Sequence, residues 1–303
     1  TMTQEPLGVV AGITPFNFPA MVPLWMIPLA ITVGNCFILK PSEQTPLSTF
    51  KIAEYLKEAG LPDGVFNIVN GAREVVEGIC DHPDIKAVAF VGSSQVAKIV
   101  YSRSTANGKR ALCFGGAKNH MIVVPDADQD STAKGLLASS MGSAGQRCMA
   151  ASVAVAVADV DPIIDQLVEE ARNYKPGVDM GTIVSKTALD RITNYIDEAE
   201  KMGAKILIDG RNSTPPEGYE DGYWLGATIL DWVDPDWPSA TDEIFGPVLS
   251  IIRTDTLENA MKIENGNQYG NAAAVFTTSG QVAKTISESA SAGMIGINIG
   301  VPV

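Results

Sequence analysis

Apolar residues in this chain fall into two alternating spacings. The short uninterrupted runs "LGVVAGI" (7–13), "CFILKP" (36–41), "VFNIV" (65–69) and "KAVAFVG" (86–92) read as strands buried on both faces. Between them, "PLSTFKIAEYLKEAGLP" sets Leu47, Phe50, Ile52 and Leu56 at roughly helical spacing and exits at Gly60 and Pro62. Further helices are expected around 73–80 and from about 94. Strands separated by helices imply βαβ units and a parallel sheet, the architecture of nucleotide-binding domains, over roughly the first 115 residues.

A second series of the same kind follows. Strands are expected at "HMIVV" (120–124), "SVAVAVAD" (152–159), "WLGATIL" (224–230), "GPVLSIIRT" (246–254), "NAAAVFT" (271–277) and "GMIGINI". Helices are expected through "DSTAKGLLASSM" and at about 161–173, 185–202, 256–264 and 280–291. "STPPEGYEDG" (213–222) is a surface loop by composition. The fold class is therefore α/β.

One stretch tests the soluble reading. No charged residue occurs from Pro6 to Leu39, long enough for a membrane span. Pro6, Pro15, Pro19, Pro23 and Pro28 interrupt it, however, and each removes a helix hydrogen bond, so it reads as a strand, a loop and a buried helix. No secretory signal is visible. The net charge of −13 makes the overall field repel nucleic acid and anionic membrane. The four cysteines, at 36, 80, 113 and 148, form no CxxC pair, and only two histidines exist. No metal site is expected, and free thiols suit a reducing compartment.

"GSAGQRCMAAS" (142–152) sets Cys148 directly after Arg147 among small residues. A structural cysteine prefers bulky apolar neighbours, whereas a reactive one gains thiolate character beside a fixed positive charge. "FVGSSQVAK" joins a strand to a helix through Gly92 and Ser93, where free amides and a hydroxyl suit phosphate, although the local pattern alone favours an ordinary capping serine. "LKPSEQTP" puts Lys40 and Glu43 past a strand's C-terminal end, where ribose hydroxyls are held in such sheets, although a solvated loop with a cap at Thr45 fits equally. "TPFNFP" fixes Asn17 between prolines, and its amide suits an oxyanion. "TDEIFGPV" gathers an acid, an aromatic and a rigid Gly-Pro. A cysteine hydrolase would need a histidine base, and neither His82 nor His120 lies in such a signature.

Together "PFNFP", "LKPSE", "FVGSS", "FGGAKNH", the cysteine segment and "DEIFGPV" resemble the aldehyde dehydrogenase superfamily, in that order and over nearly the whole chain. "GGAKNHM", "PDAD" and "QRCMA" bring it nearest the methylmalonate-semialdehyde dehydrogenase branch. The resemblance implies a Rossmann-type cofactor domain, here 1–117, and an α/β catalytic domain, 118–303. It implies Cys148 as nucleophile and Asn17, with the Cys148 amide, as oxyanion donors. NAD would be bound by Lys40 and Glu43 at the adenosine ribose, Gly92 and Ser93 at the pyrophosphate, and Glu243 at the nicotinamide ribose. Phe245 would wall the nicotinamide pocket, and Phe16 belongs to the same cofactor set. Glu43 would repel a 2′-phosphate, favouring NAD over NADP.

Two departures refine the expectation. Hydrolytic members carry a glutamate two residues before Gly-Gly; Cys113 stands there, and a thiol is a poor base for water. That branch instead passes its acyl group to coenzyme A. Arg147 either lowers the Cys148 pKa or, as the resemblance implies, grips a semialdehyde carboxylate. The expected activity is NAD-dependent oxidation of methylmalonate or malonate semialdehyde through a Cys148 thioester with acyl transfer to coenzyme A, giving propanoyl- or acetyl-coenzyme A, CO2 and NADH, with a hydrolytic dehydrogenase of broader specificity or a nucleotide-binding remnant as alternatives. Relatives extend further at both ends, so a fragment is expected, from a homo-oligomer of the cytoplasm or, alternatively, the mitochondrial matrix.

Overall fold

The computed structural model describes residues 2–3 and 5–301, and the chain divides into two units, Thr1–Gly116 and Ala117–Val303. The first unit runs β1 (Val9–Ile13), α1 (Met21–Thr32), β2 (Cys36–Lys40), α2 (Leu47–Glu58), β3 (Phe66–Ile68), α3 (Arg73–Asp81), β4 (Ile85–Val91), α4 (Ser94–Ala106) and β5 (Arg110–Phe114). Its five strands are all parallel, in the order β3-β2-β1-β4-β5. The chain reverses direction across the sheet between β1 and β4, so the loops after those strands flank the crevice where open α/β sheets hold ligands. Gly12 is required on β1 because a Cβ there would lie 2.6 Å from the Phe37 ring and 2.9 Å from Met26 Sδ.

The second unit runs β6 (Asn119–Val123), α5 (Gln129–Met141), β7 (Ala151–Val157), α6 (Asp161–Arg172), α7 (Lys186–Met202), β8 (Lys205–Ile208), β9 (Thr228–Asp231), α8 (Pro238–Thr241), β10 (Val248–Thr254), α9 (Leu257–Asn265), β11 (Ala272–Phe276), α10 (Gly280–Ser289) and β12 (Met294–Ile297). The sheet order is β12-β11-β6-β7-β10-β9-β8, parallel except for the β8–β9 pair. Every residue of β6, β10 through Ile252 and β11 is buried, as continuous apolar runs covered on both faces require. Asp231, the last residue of β9, is buried against Arg253, which donates to both its oxygens at 2.8 and 2.9 Å. Four of these helices start on side-chain caps: Asp128 for α5, Ser185 for α7, Thr256 for α9 and Ser279 for α10.

Three expectations are corrected. The helix read as buried within 6–39 is α1, and only one side of it is covered: Leu24, Trp25 and Leu29 are exposed. Its sequence is apolar all round, so pattern alone could not say which side meets the sheet. The cap at Thr45 is not formed; Pro46 occupies the position before α2, and the Thr45 hydroxyl instead donates to the Phe16 carbonyl at 3.0 Å. The strand expected from Trp224 begins only at Thr228. No described helix is long and apolar enough to cross a membrane.

Candidate active site

In the first unit the sequence-singled residues gather at the C-terminal ends of three adjacent strands. Lys40 ends β2 with its side chain buried, and its Nζ meets Glu43 Oε2 at 3.0 Å. Burial raises the Glu43 carboxyl, but its own backbone amide and Lys40 outweigh that and hold it below the ordinary range. An ammonium and a carboxylate this close offer both halves of the recognition of a vicinal diol. Gly92 and Ser93 follow β4, and Ser93 occupies the position before α4 without using its hydroxyl as a cap. The ordinary capping reading therefore fails, because the neighbouring Ser94 Oγ accepts the Gly116 amide at 2.9 Å, while the first amides of α4 remain an anion-binding end. Phe16 and Asn17 lie half-buried in the bend after β1.

Cys113 sits on β5 with its side chain packed against the core formed by Ile79, Phe90 and Val100, and burial raises its thiol pKa. A thiol turned into the core cannot serve as a base for water.

In the second unit the site lies at the opposite end of the strands, where β6, β7 and β10 begin. After α5 the chain makes a left-handed turn: Ser143, Ala144 and Gly145 have φ of 52°, 53° and 66°. Two non-glycine residues in this region cost about 1–2 kcal/mol each, so the surroundings must enforce the turn. They do so from two sides. Gln146 donates to the Thr182 carbonyl at 3.0 Å and accepts the Val184 amide at 2.9 Å. Gly145 presses backbone to backbone on the loop before β10, where a Cβ would lie 2.0 Å from the Gly246 oxygen. That loop carries Phe245 at φ 56°, and Gly246 is itself pinned by Ile192 of α7, whose atoms lie 2.7–2.9 Å from the place of a Cβ.

Arg147 follows, and its Nη2 donates to the carbonyls of Ala138 and Ser139, both at 2.9 Å. It thus places positive charge on the C-terminal carbonyls of α5, where Ala138 O also accepts the Gly142 amide. Its Nε is buried with no acceptor among the described residues. Cys148 is half-buried, and burial raises its thiol above the ordinary value. The backbone amides of Cys148 and Met149 act against this, as does Arg147, more weakly, while Glu243 raises the thiol further. Of the two roles the sequence offered Arg147, lowering the Cys148 thiol is present in direction but outweighed in sum.

Glu243 is half-buried, and its Oε1 accepts the Ala117 amide at 3.0 Å. Burial raises its carboxyl; that amide, Lys118 and Arg191 restrain the rise. Lys118 is fully buried, donates to the Ser239 carbonyl at 2.9 Å, and is pushed by burial down to about 7. His120 is also buried, its pKa pushed by burial down to about 3, so it stays neutral. His82 closes α3, and its Nδ1 accepts the Asp84 amide. Sequence reasoning passed over Gln146, Asn119 and Asn271; the last two both donate to the Cys148 carbonyl. Asn119 was visible only as part of "GAKNHM", and nothing local connects Asn271 with residue 148.

A parallel sheet with this strand order, phosphate- and diol-suited groups at its C-terminal edge, and a thiol just after a strained turn with a half-buried glutamate acting on it define an aldehyde dehydrogenase framework. The chain belongs to the aldehyde dehydrogenase family, whose model matches residues 1–303. Among particular relatives, it is 47% identical to the malonate-semialdehyde dehydrogenase of Pseudomonas aeruginosa, with 99% of this chain covering 62% of that protein. It is 47% identical to the acylating, mitochondrial methylmalonate-semialdehyde/malonate-semialdehyde dehydrogenase of Rattus norvegicus, 97% of this chain covering 56% of that one. A Sinorhizobium meliloti protein described as a methylmalonate-semialdehyde dehydrogenase and solved with NAD superposes with a TM-score of 0.96 at 46% identity, covering 99% of this chain and 62% of that one. The chain thus spans about three-fifths of the length of these relatives.

Proposed function

We propose that the protein oxidises methylmalonate or malonate semialdehyde with NAD and passes the acyl group from Cys148 to coenzyme A. One observation carries the reading: Cys148 follows, three residues on, a left-handed turn locked at Gly145 against the loop of Glu243 and Phe245, so nucleophile and carboxylate share one strand edge. The relatives named above support the choice of substrate, and the acylating activity belongs to the rat protein's name.

The side chains present suit NAD. Lys40 and Glu43, 3.0 Å apart, would hold the adenosine ribose, and Ser93 with the first amides of α4 would hold the pyrophosphate. Glu243 would take hydroxyls of the nicotinamide ribose, with Phe245 walling the nicotinamide. When bound, NAD supplies the hydride acceptor that converts the adduct on Cys148 to a thioester. The Cys148 thiolate adds to the aldehyde carbon, a C–S bond forms, and the carbonyl electron pair moves to oxygen. The Cys148 amide and the Asn17 side chain would hold that oxyanion. Arg147 would grip the substrate carboxylate through the part of its guanidinium not committed to α5, since Nη2 donates to the Ala138 and Ser139 carbonyls. The thioester would then lose its carboxylate as CO2, a proton taking its place, and yield to the coenzyme A thiol, which takes the propanoyl or acetyl group and returns the cysteine. Cys113, turned into the core, leaves the water route without a base at that position.

Rapid mixing of the enzyme with semialdehyde and NAD tests this. A burst of one NADH per Cys148, followed by turnover only when coenzyme A is added, is expected. Steady turnover without coenzyme A would overturn the acyl-transfer step, and unaltered oxidation by Cys148→Ala would overturn the nucleophile.

A further inference from the structure

The carbonyl of Cys148 is held by two carboxamides from neighbouring strands. Asn119, the first residue of β6, is buried and uses its whole side chain: Nδ2 donates to Cys148 O at 2.9 Å and Ala150 O at 3.0 Å, and Oδ1 accepts the Ala272 amide at 3.1 Å. It therefore ties the start of β6 to the starts of both flanking strands, β7 and β11. Asn271, one residue before β11, reaches the same Cys148 oxygen at 3.1 Å, with its Nδ2 also 3.1 Å from Met149 Sδ. The β6–β7 register shifts between Asn119 and His120, so the first residues of β7 bulge just after the nucleophile.

The consequence follows from the planar trans peptide. The carbonyl of residue 148 and the N–H of residue 149 point in opposite directions from the same bond. Holding the carbonyl toward β6 and β11 turns the Met149 N–H away from those strands. On that other side it acts on the Cys148 sulfur, where the Met149 amide favours the thiolate. We propose that Asn119 and Asn271 are positioning residues for the nucleophile: by clamping the Cys148 carbonyl they fix the 148–149 peptide so that its N–H faces the sulfur. The inference rests on Cys148 being the reactive thiol. The charged groups acting on that sulfur are Glu243, from the loop before β10, and Arg147, from the turn itself, and neither is touched by the two carboxamides.

The test is the pH dependence of iodoacetamide alkylation of Cys148 in the NAD-free, substrate-free protein, with labelling assigned to residue 148 by peptide mass. Alkylation follows the thiolate fraction. Loss of one clamp in Asn271→Leu should shift the profile to higher pH and slow the acid limb about threefold, and the double Asn119→Leu/Asn271→Leu about tenfold, one pKa unit. The alkaline plateau should be unchanged. An unshifted profile in Asn271→Leu, or a fall by the same factor at every pH, would overturn the proposal, the second because it is the mark of a merely structural role. Asn119→Leu also strands the Ala272 amide; if that variant does not fold, Asn271→Leu alone decides. Failure of the nucleophile reading is seen elsewhere, as oxidation that survives Cys148→Ala, and does not alter these alkylation profiles.

Discussion

Replacing Gly145 by alanine tests the claim that the nucleophile turn and the loop of Glu243 and Phe245 are one rigid body. Gly145 has φ +66°, and a Cβ there would lie 2.0 Å from the Gly246 carbonyl oxygen, 2.3 Å from its carbon and 2.9 Å from Pro247 N. All three are backbone atoms, and Gly246 is itself backed by Ile192, so no flexible side chain can give way. The left-handed conformation costs about 1–2 kcal/mol for alanine, and overpacking about 1–3 kcal/mol more. A loss near 3 kcal/mol in a domain of this size lowers Tm by about 6–12 °C. The contact can be relieved only by moving the two loops apart by on the order of 1 Å, a misplacement worth about a hundredfold in rate. Thermal unfolding and burst kinetics on Gly145→Ala should therefore show both losses, the rate loss persisting well below Tm. Gly78→Ala is the control: Gly78 lies inside α3 with nothing within 4 Å of its Cβ position, and this change should stabilise the protein by about 0.5–1 kcal/mol. A Gly145→Ala protein with an unshifted Tm and a burst rate within twofold of wild type would refute the rigid-edge argument.

Three further outcomes are expected. Cys113→Glu buries a carboxylate against Ile79, Phe90 and Val100, so it should lower the urea midpoint without creating turnover free of coenzyme A; hydrolysis at a useful rate would show that this side chain can leave the core. Arg147→Leu should raise KM for methylmalonate semialdehyde about 10–100-fold and leave propanal nearly unchanged; equal changes for both substrates would assign Arg147 to capping α5 alone. Lys118, depressed by burial to about 7 against an unfolded value near 10.4, leaves the unfolded chain binding the extra proton between those values, so its contribution to stability rises with pH across that window. Urea unfolding from pH 7 to 10 should show wild type gaining on Lys118→Met; parallel curves would contradict it.

How much of this was legible in the sequence differs element by element. The buried strands β1 and β11 announce themselves because both faces are covered and the whole run is apolar. The strands passed over, β5 and β8, lie at sheet edges, where one side is unpaired and burial is partial: "RALCF" alternates between exposed and half-buried positions, and "KILI" is only four residues long. Among candidate site residues, those set by a chain-local device could be found. Ser93 lies at a strand-to-helix junction, and Lys40 and Glu43 are three residues apart. Residues that act across the fold could not. Gln146 works on a segment 36–38 residues away, and Asn271 on one 123 residues away, and no local pattern encodes a partner that distant.

The position of the second site also explains why it needs asparagines. Open parallel sheets hold ligands beyond the C-terminal ends of their strands, and the first unit follows that rule. Cys148, Ala117 and the loop of Glu243 lie instead where parallel strands begin. At that end the last carbonyls before each strand have no ladder partner, yet a buried carbonyl must find a donor. The carbonyls of Cys148 and Ala150 are such groups, and so is the amide of Ala272 on the other side of β6. A side chain that satisfies both kinds must carry donor and acceptor together, be short enough to stay at the strand start, and sit on the strand between the two. Among the standard side chains a carboxamide at the first residue of β6 meets all three conditions, and aspartate in its place would supply only the acceptor. The same geometry that closes the hydrogen-bond account at this edge thus sets the plane of the peptide that follows the nucleophile.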